Sequence, residues 1–446
     1  MSPRDPLPIE PAEAFDVTLR PPGSKSLTNR ALVMAALARG TSKLTGVLLA
    51  DDTRRMIEAL RALGFRLKLD EDACRVTIKG GAGSVPRSSA ELDLGNAGTA
   101  MRFLTAMLTL GLGEYTLDGI ARMRQRPIGE LVDPLNELGA DIEYLGETGF
   151  PPLKVIAEPP GPIGGLLEMA PTLSSQFISA LLMIGPYLQQ GLEIEFDGPV
   201  TSLPYVKMTL NLMKQFGAEF EADTGYRAIN VPGLSHGSGG FRGYDYPVEP
   251  DASNASYFLA AAAVVPGSRC VIEGLGSRSL QGDAEFCDVL GRMGCGVDQR
   301  LDTTCVTAPA DGKLRAVDVD LNDMPDMAQT LAVVALFADP GSGPTMIRNV
   351  GNLRVKETDR IAALENELAK FGAKVTTVGD DLTVHPPDDP GLHEVRVETY
   401  DDHRMAMAFA VAGLRRPNVT ILDPRCVEKT FPDYFAFLDR LRGAAV

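Results

Sequence analysis

Polar and apolar positions divide the chain into two alternating kinds of helix-like segment. One kind has a polar start followed by small and apolar residues on nearly every face: SKSLTNRALVMAALARG, GNAGTAMRFLTAMLTLG, SSQFISALLMIGPY, DASNASYFLAAAAVV, PDMAQTLAVVALFA and DDHRMAMAFAVAG. Helices that are apolar all round belong inside a core. The other kind ends apolar-x-x-apolar-Gly before a β-like run, as in LRALGFRL, LNELGADI, MKQFGAEF, LGRMGCGV and LAKFGAKV. Glycine suits the position just past a helix end because it takes positive φ without a Cβ clash. Gly64, Gly139, Gly217, Gly294 and Gly372 are spaced by 75, 78, 77 and 78 residues, and FLDRLRG puts a sixth helix end near Gly443. A fixed period of this size marks a repeat architecture.

Strand-like runs such as LTGV, YTLDG, LEIEFDG and RCVIEG lie between the two helix kinds. One repeat therefore reads strand, helix, strand, helix, strand, strand, and six repeats fill the 446 residues. The predicted architecture is α/β, with two three-repeat domains whose apolar helices sit inside a ring of sheets. The first domain is expected over residues 24–248 and the second over 1–23 with 249–446. Strands before Ser24 are candidates to pair with the last three repeats, with a first crossing near Pro21-Pro22-Gly23. The Gly-, Tyr- and Pro-punctuated stretch 237–250 (GSGGFRGYDYPVEP) is the candidate hinge.

Composition narrows the chemistry. The net charge is −16 with 44% hydrophobic residues, which argues against nucleic-acid binding, since such binders neutralise phosphates with a basic face. An anionic ligand must then meet a local cluster of cations. The start, MSPRDPLPIEP, lacks a signal-peptide plan, and no apolar stretch approaches the ~18 residues of a membrane span. The six cysteines form no CxxC pair, and no HExxH, GxSxG or Walker A string occurs. A reduced, cytoplasmic protein without metal or cofactor is the expectation.

The polar helix starts carry the candidate chemistry. Ser24, Ser174, Asp251 and Asp401 read as N-caps. Basic residues in a first helical turn oppose the dipole, yet Lys25, Arg30, Arg102 and Arg404 recur there in phase. Any one of them reads as a side chain snorkelling to solvent, whereas several equivalent helix starts converging on a cleft make an anion site. The SSQF of 174–177 offers neutral donors for a phosphate or simply a capping pair. GNAG, with Gly98, permits close backbone approach or marks a turn. The RVKETDR of 354–360 reads as a solvated charge run ahead of a helix with the apolar stripe Ile361, Leu364, Leu368 and Phe371. Arg122, Arg124 and Arg126 alternate before Pro127, so an extended segment would point them the same way. Asp326 in PDM reads either as a cap or as a buried general base.

Taken in order, GSKSLTNRAL, LGNAGTAMR, RQRPI, SSQF, DASNASYF, PDM, NLRVKETDR, YDDHRMAMA and EKTFPDYF resemble the 5-enolpyruvylshikimate-3-phosphate synthase family over nearly the whole chain. The resemblance implies a two-domain inside-out α/β barrel of six βαβαββ units. It implies transfer of the enolpyruvyl group of phosphoenolpyruvate to the 5-hydroxyl of shikimate 3-phosphate in the shikimate pathway, by a monomer whose partners are these two small molecules. By motif, Lys25, Ser26 and Arg30 would hold the shikimate ring and carboxylate. Ser174, Ser175, Gln176 and Ser202 would bind the shikimate phosphate, completed by Asn352 and Lys356. Lys25, Gly98, Arg126, Gln176, Arg360, Arg404 and Lys429 would surround phosphoenolpyruvate, the site that glyphosate occupies in this family. Asp326, also a shikimate 3-phosphate contact, would act as base at the 5-hydroxyl. Glu357 would be the proton donor, with Lys25 sharing that role.

Three positions depart from the family pattern: Phe103 stands where proline is usual, Leu353 where an aromatic is usual, and Asp401 where asparagine is common. Phe103 is expected to affect helix position near Gly98. Two rival readings are a UDP-N-acetylglucosamine enolpyruvyl transferase and a non-catalytic binding module on the same scaffold. The first uses a cysteine in the loop matching GIARMRQRPIG, which has none. The second would be expected to lose some of the paired acids and bases, all of which are present.

Overall fold

Alanine-rich, all-round apolar helices have no face to give to water, and all six lie in the interior: Lys25–Leu37, Gly98–Leu108, Ser175–Ile184, Ala252–Val264, Ala328–Ala335 and His403–Arg415. In Ala252–Val264 every residue is buried. The alternate helices are amphipathic. Asp51–Ala62, for example, buries Met56, Ile57 and Leu60 beneath a charged outer face. The structure is a computed structural model that describes residues 5–170, 174–389 and 391–444.

The five punctuating glycines sit at φ between +84° and +103°, the left-handed conformation that a helix end takes there. Gly443 follows the last helix, Tyr434–Arg442, but has a φ of −79°, so that end is not closed in the same way.

Two compact units emerge, Gly23–Val248 and the combination of Met1–Pro22 with Glu249–Val446. Among the described residues each carries three sheets and three inner helices. In the first unit Gly98–Leu108 packs on both Lys25–Leu37 and Ser175–Ile184; in the second the three inner helices pack mutually. A typical sheet comes from one repeat. In the second repeat, Ser89–Asp93 lies parallel to Gly113–Asp118, which is antiparallel to Leu153–Ala157, which pairs with Asp141–Tyr144.

The first and fourth repeats break this rule by exchanging their leading strands. Asp16–Leu19 pairs in parallel with Arg269–Glu273, and Asp245–Pro247 pairs in parallel with Thr41–Thr45. Leu7–Ile9 also joins the second unit, antiparallel to Val419–Ile421. Within the stretch 237–250, Asp245–Pro247 is a sheet strand, and the change of unit follows it between Val248 and Glu249. Glu249 is fixed at once, because Leu280 N and Ser279 Oγ each donate to its carboxylate at 3.0 Å.

Candidate active site

In the Glu249–Val446 part, charge is concentrated where three elements begin. Arg360 is the first residue of the helix Arg360–Ala369, capped by Asp359, whose side chain accepts from Ala362 N. The apolar stripe Ile361, Leu364, Leu368 and Phe371 is buried as expected and fixes the helix's rotation. That rotation turns Arg360 inward, where only 1% of it is exposed. Its Nε donates to Asp402 Oδ2 (2.7 Å), its Nη2 to Glu357 Oε2 (2.9 Å) and its Nη1 to Asp326 Oδ1 (3.1 Å). Burial works to lower the Arg360 pKa, but the charges of Asp402, Glu357 and Asp326 raise it above its ordinary value. The run 354–360 is therefore split. Arg354 and Asp359 face solvent at 3.7 Å from one another, while Glu357 and Arg360 are interior groups.

Arg404 completes the net. Its Nη2 donates to Asp326 Oδ2 at 2.7 Å and its Nη1 to the Tyr257 hydroxyl at 3.4 Å. Burial pushes the Tyr257 hydroxyl up to about 12, against the opposing pull of Arg404, so it stays protonated. Asp326 lies in the short turn Pro325–Met327, and each of its two oxygens accepts from a guanidinium. Bidentate charge-assisted bonds of this kind fix both position and orientation.

The cap of the His403–Arg415 helix is Asp402 and not Asp401, with Asp402 Oδ1 accepting from Arg404 N at 2.9 Å. Tyr400 and Asp401 precede it at φ +56° and +53°. Asp tolerates that region better than most side chains. Lys429 ends the turn Pro424–Lys429 and is largely buried; its charge opposes the burial that raises the Asp401 pKa. Asn352 has its Oδ1 buried without a hydrogen-bond partner, and Lys356 ends the same Gly351–Val355 turn.

The Gly23–Val248 unit holds its cations differently. Arg30 is enclosed by neutral groups: Nε donates to Thr209 Oγ1 (2.7 Å), Nη1 to Ser26 O (3.0 Å), and Nη2 to Ser179 Oγ (3.1 Å). The guanidinium lies 5.2 Å from the centre of the Phe103 ring, a cation–π contact. Burial lowers the Arg30 pKa to about 10, partly offset by Tyr205. Arg126 Nη1 donates to Asn96 O at 3.0 Å and to Asn96 Oδ1 at 3.2 Å, and its buried Nε has no partner. Arg102 donates to Gly98 O (3.2 Å) and Pro127 O (2.8 Å). Lys25, by contrast, pairs with a carboxylate, Asp52 at 3.2 Å.

Gly98 and Arg126 belong together. A Cβ on Gly98 would stand 2.5 Å from Arg126 Nη2, so the glycine clears the seat of the guanidinium. The arginine run is not extended, because Met123–Gln125 forms a short helical turn around buried Met123. Arg122 and Arg124 consequently face solvent, Arg124 pairing with Asp118 at 2.6 Å, and only Arg126 turns inward. Ser24, Ser174 and Asp251 cap their helices as expected. Ser175 is buried and Gln176 half-buried at the start of that helix. Ser202 is buried at φ +52°, an unfavourable backbone conformation for serine, just before Leu203–Gln215.

Sequence reasoning missed Asp402, Tyr257, Asp52 and Asp283. Asp402 had a signal in its position beside a helix start, whereas the others had none. Among the described residues no three His, Cys, Asp or Glu side chains are gathered as a metal would need, and no helix is long and apolar enough to cross a membrane. Chemically, the second unit offers three carboxylates fixed by guanidiniums, two of them buried, and the first offers buried cations seated on hydroxyls and carbonyls.

Comparison with known proteins gives a consistent match. The family model of EPSP synthase (3-phosphoshikimate 1-carboxyvinyltransferase) covers residues 9–438. A 3-phosphoshikimate 1-carboxyvinyltransferase from Laribacter hongkongensis is 48% identical over 445 residues, 98% of this chain and 99% of its own. One from Aliivibrio fischeri is 46% identical over 438 residues, again 98% and 99%. Among solved structures, EPSP synthase from Acinetobacter baumannii is similar with a TM-score of 0.78 at 25% identity, covering 98% of each chain. An enolpyruvyl transferase from Streptomyces tendae, at 18% identity and a TM-score of 0.74 over 98% of each chain, shares the fold.

Proposed function

The chain belongs to the EPSP synthase family, the 3-phosphoshikimate 1-carboxyvinyltransferases, and from that premise we propose how its residues divide the reaction. The protein is a transferase of aromatic amino acid biosynthesis. It moves the enolpyruvyl group of phosphoenolpyruvate to the 5-hydroxyl of shikimate 3-phosphate and releases phosphate, a fold and function that fit the two-domain inside-out α/β barrel.

The observation that carries the division is the pair of carboxylates, Asp326 and Glu357, tied to one buried Arg360. The reaction needs a base and an acid at separate atoms. Asp326 takes the proton of the 5-hydroxyl as its oxygen bonds to C2 of phosphoenolpyruvate, while Glu357, assisted by Lys25, gives a proton to the methylene carbon. The tetrahedral intermediate then loses a proton from the new methyl group as its C–O bond to phosphate breaks.

Both substrates carry several negative charges, and cations at close range offset their repulsion. Arg126 and Lys25 in the first unit, with Gln176 donating and Gly98 making room, and Arg360, Arg404 and Lys429 in the second, are each assigned to phosphoenolpyruvate. Ser174, Ser175, Gln176 and Ser202 bind the shikimate phosphate with Asn352 and Lys356, and Lys25, Ser26 and Arg30 hold the ring and carboxylate. Arg30 does so from beneath, since Thr209, Ser26 and Ser179 already occupy most of its donors. A monomer acting in the cytoplasm without cofactor completes the reading.

The test is phosphate release with both substrates and with each omitted. Release only with the complete pair is expected. Equal turnover with UDP-N-acetylglucosamine in place of shikimate 3-phosphate overturns it.

A further inference from the structure

Asp283 sits in the turn Gly282–Glu285, outside every motif assigned above, and is almost wholly buried. The Ser253 hydroxyl donates to its Oδ2. Ser253 and Tyr257 are four residues apart on Ala252–Val264 and so share a face. On that face Tyr257 accepts from Arg404, which in turn holds Asp326. Asp326, Arg404 and Asp251 all act on the Asp283 charge. Two guanidiniums, Arg360 and Arg404, thus already answer to Asp326, Glu357 and Asp402, and Asp283, held by Ser253 one helical turn from the Tyr257 that Arg404 contacts, is a fourth carboxylate acting on Arg404.

We propose that Asp283 is a positioning residue of the transfer centre: as a neutral acid it admits anionic phosphoenolpyruvate to Arg404 and Arg360, and as a carboxylate it repels that substrate. The inference rests on the reading of those two arginines as phosphoenolpyruvate ligands. Charge repulsion is strong where water is excluded. Burial pushes the Asp283 carboxyl up to about 6, with the Asp326 charge adding to the effect. The charged groups acting on it are Asp251 at the cap of the Ala252–Val264 helix, Asp326 on its turn and Arg404 on its helix, with the Tyr257 hydroxyl one turn beyond Ser253; Glu285 and Asp288, farther along its own chain, face solvent.

A purely structural clamp does not need an acid here. Gln281 Nε2 donates to Pro250 O at 2.7 Å and Gln281 Oε1 accepts from Ala252 N at 3.0 Å, so the turn is already tied to the helix start.

The experiment is kcat and kcat/KM for phosphoenolpyruvate from pH 5.5 to 8.5 in the wild-type protein, Asp283→Asn and Ser253→Ala. Ionisation of the substrate phosphate is common to all three and cancels in the comparison. The wild type is expected to lose kcat/KM above about pH 6, at up to ~10-fold per pH unit, mainly through KM. Asp283→Asn should turn over without that limb. Ser253→Ala, by deleting a hydrogen bond that favours the carboxylate, should move the limb to higher pH. A limb unchanged in Asp283→Asn, or loss of its activity at every pH, overturns the proposal. If that variant does not fold, an unshifted limb in Ser253→Ala overturns it instead. Failure of the underlying reading shows differently, as wild-type protein for which phosphoenolpyruvate KM is unaffected by Arg404→Gln.

Discussion

Arg360 and Arg404 in one unit and Arg30, Arg102 and Arg126 in the other are held against different kinds of partner. In the Glu249–Val446 part, Arg360 bonds three carboxylates and Arg404 shares one of them. In Gly23–Val248, Arg30, Arg102 and Arg126 bond hydroxyls, carbonyls and an amide. A guanidinium spent on carboxylates fixes those acids in place, whereas one held by neutral groups keeps its charge for an anion. On the proposed assignment, the arginines of one unit position acids as well as meeting phosphoenolpyruvate, whereas Arg126 in the other meets it from a neutral seat.

The largest effect is expected at the acid-holding centre. Asp326→Ala should lower kcat by about 100-fold or more, the usual scale for a positioned acid or base, with both substrates still bound. Glu357→Gln should behave similarly. Near-normal kcat in either would remove the chemical role from this net.

Next comes the neutral-partner centre. Arg126→Gln should raise the KM for phosphoenolpyruvate by about 10- to 100-fold, as for loss of a charged hydrogen-bond donor, with kcat less affected. Initial rates over a range of that substrate check this. A drop in kcat alone would erase the contrast.

A smaller change is expected at Gly98. An alanine there displaces Arg126, because its Cβ would lie 2.5 Å from Nη2. Gly98→Ala should therefore raise the phosphoenolpyruvate KM and weaken glyphosate further, reported by the ratio of inhibitor Ki to substrate KM. An unchanged ratio would mean the inhibitor does not depend on the seat of Arg126.

The smallest effect belongs to Arg124→Ala. Its partner Asp118 is a surface group, so kcat and KM should be unchanged and Tm should move by less than about 2 °C. A raised KM would restore the view that the arginines of that run act together.

Much of this was legible in the sequence because its causes are local. Alanine-rich helices and positive-φ glycines announce buried helices and their ends, and the repeat follows. The strand exchange between first and fourth repeats was only partly legible: the short run Asp16–Leu19 looks like any strand, and its partner Arg269–Glu273 lies some 250 residues away. The arginine run misled because Pro127 suggests extension, whereas burial of Met123 coils the segment. Asp401 and Asp402 were indistinguishable as caps until two left-handed residues set the register. Asp283 carried no signal at all, since a lone acid in a turn acquires meaning only through what the fold brings beside it.

The most direct test of the contrast between the units measures phosphate release by Asp326→Ala and Arg126→Gln side by side, with shikimate 3-phosphate saturating and phosphoenolpyruvate raised stepwise. Excess phosphoenolpyruvate should restore most of the rate of Arg126→Gln and none of the rate of Asp326→Ala. Rescue of both variants, or of neither, would contradict the assignment of charge compensation to Arg126 and acid–base chemistry to Asp326.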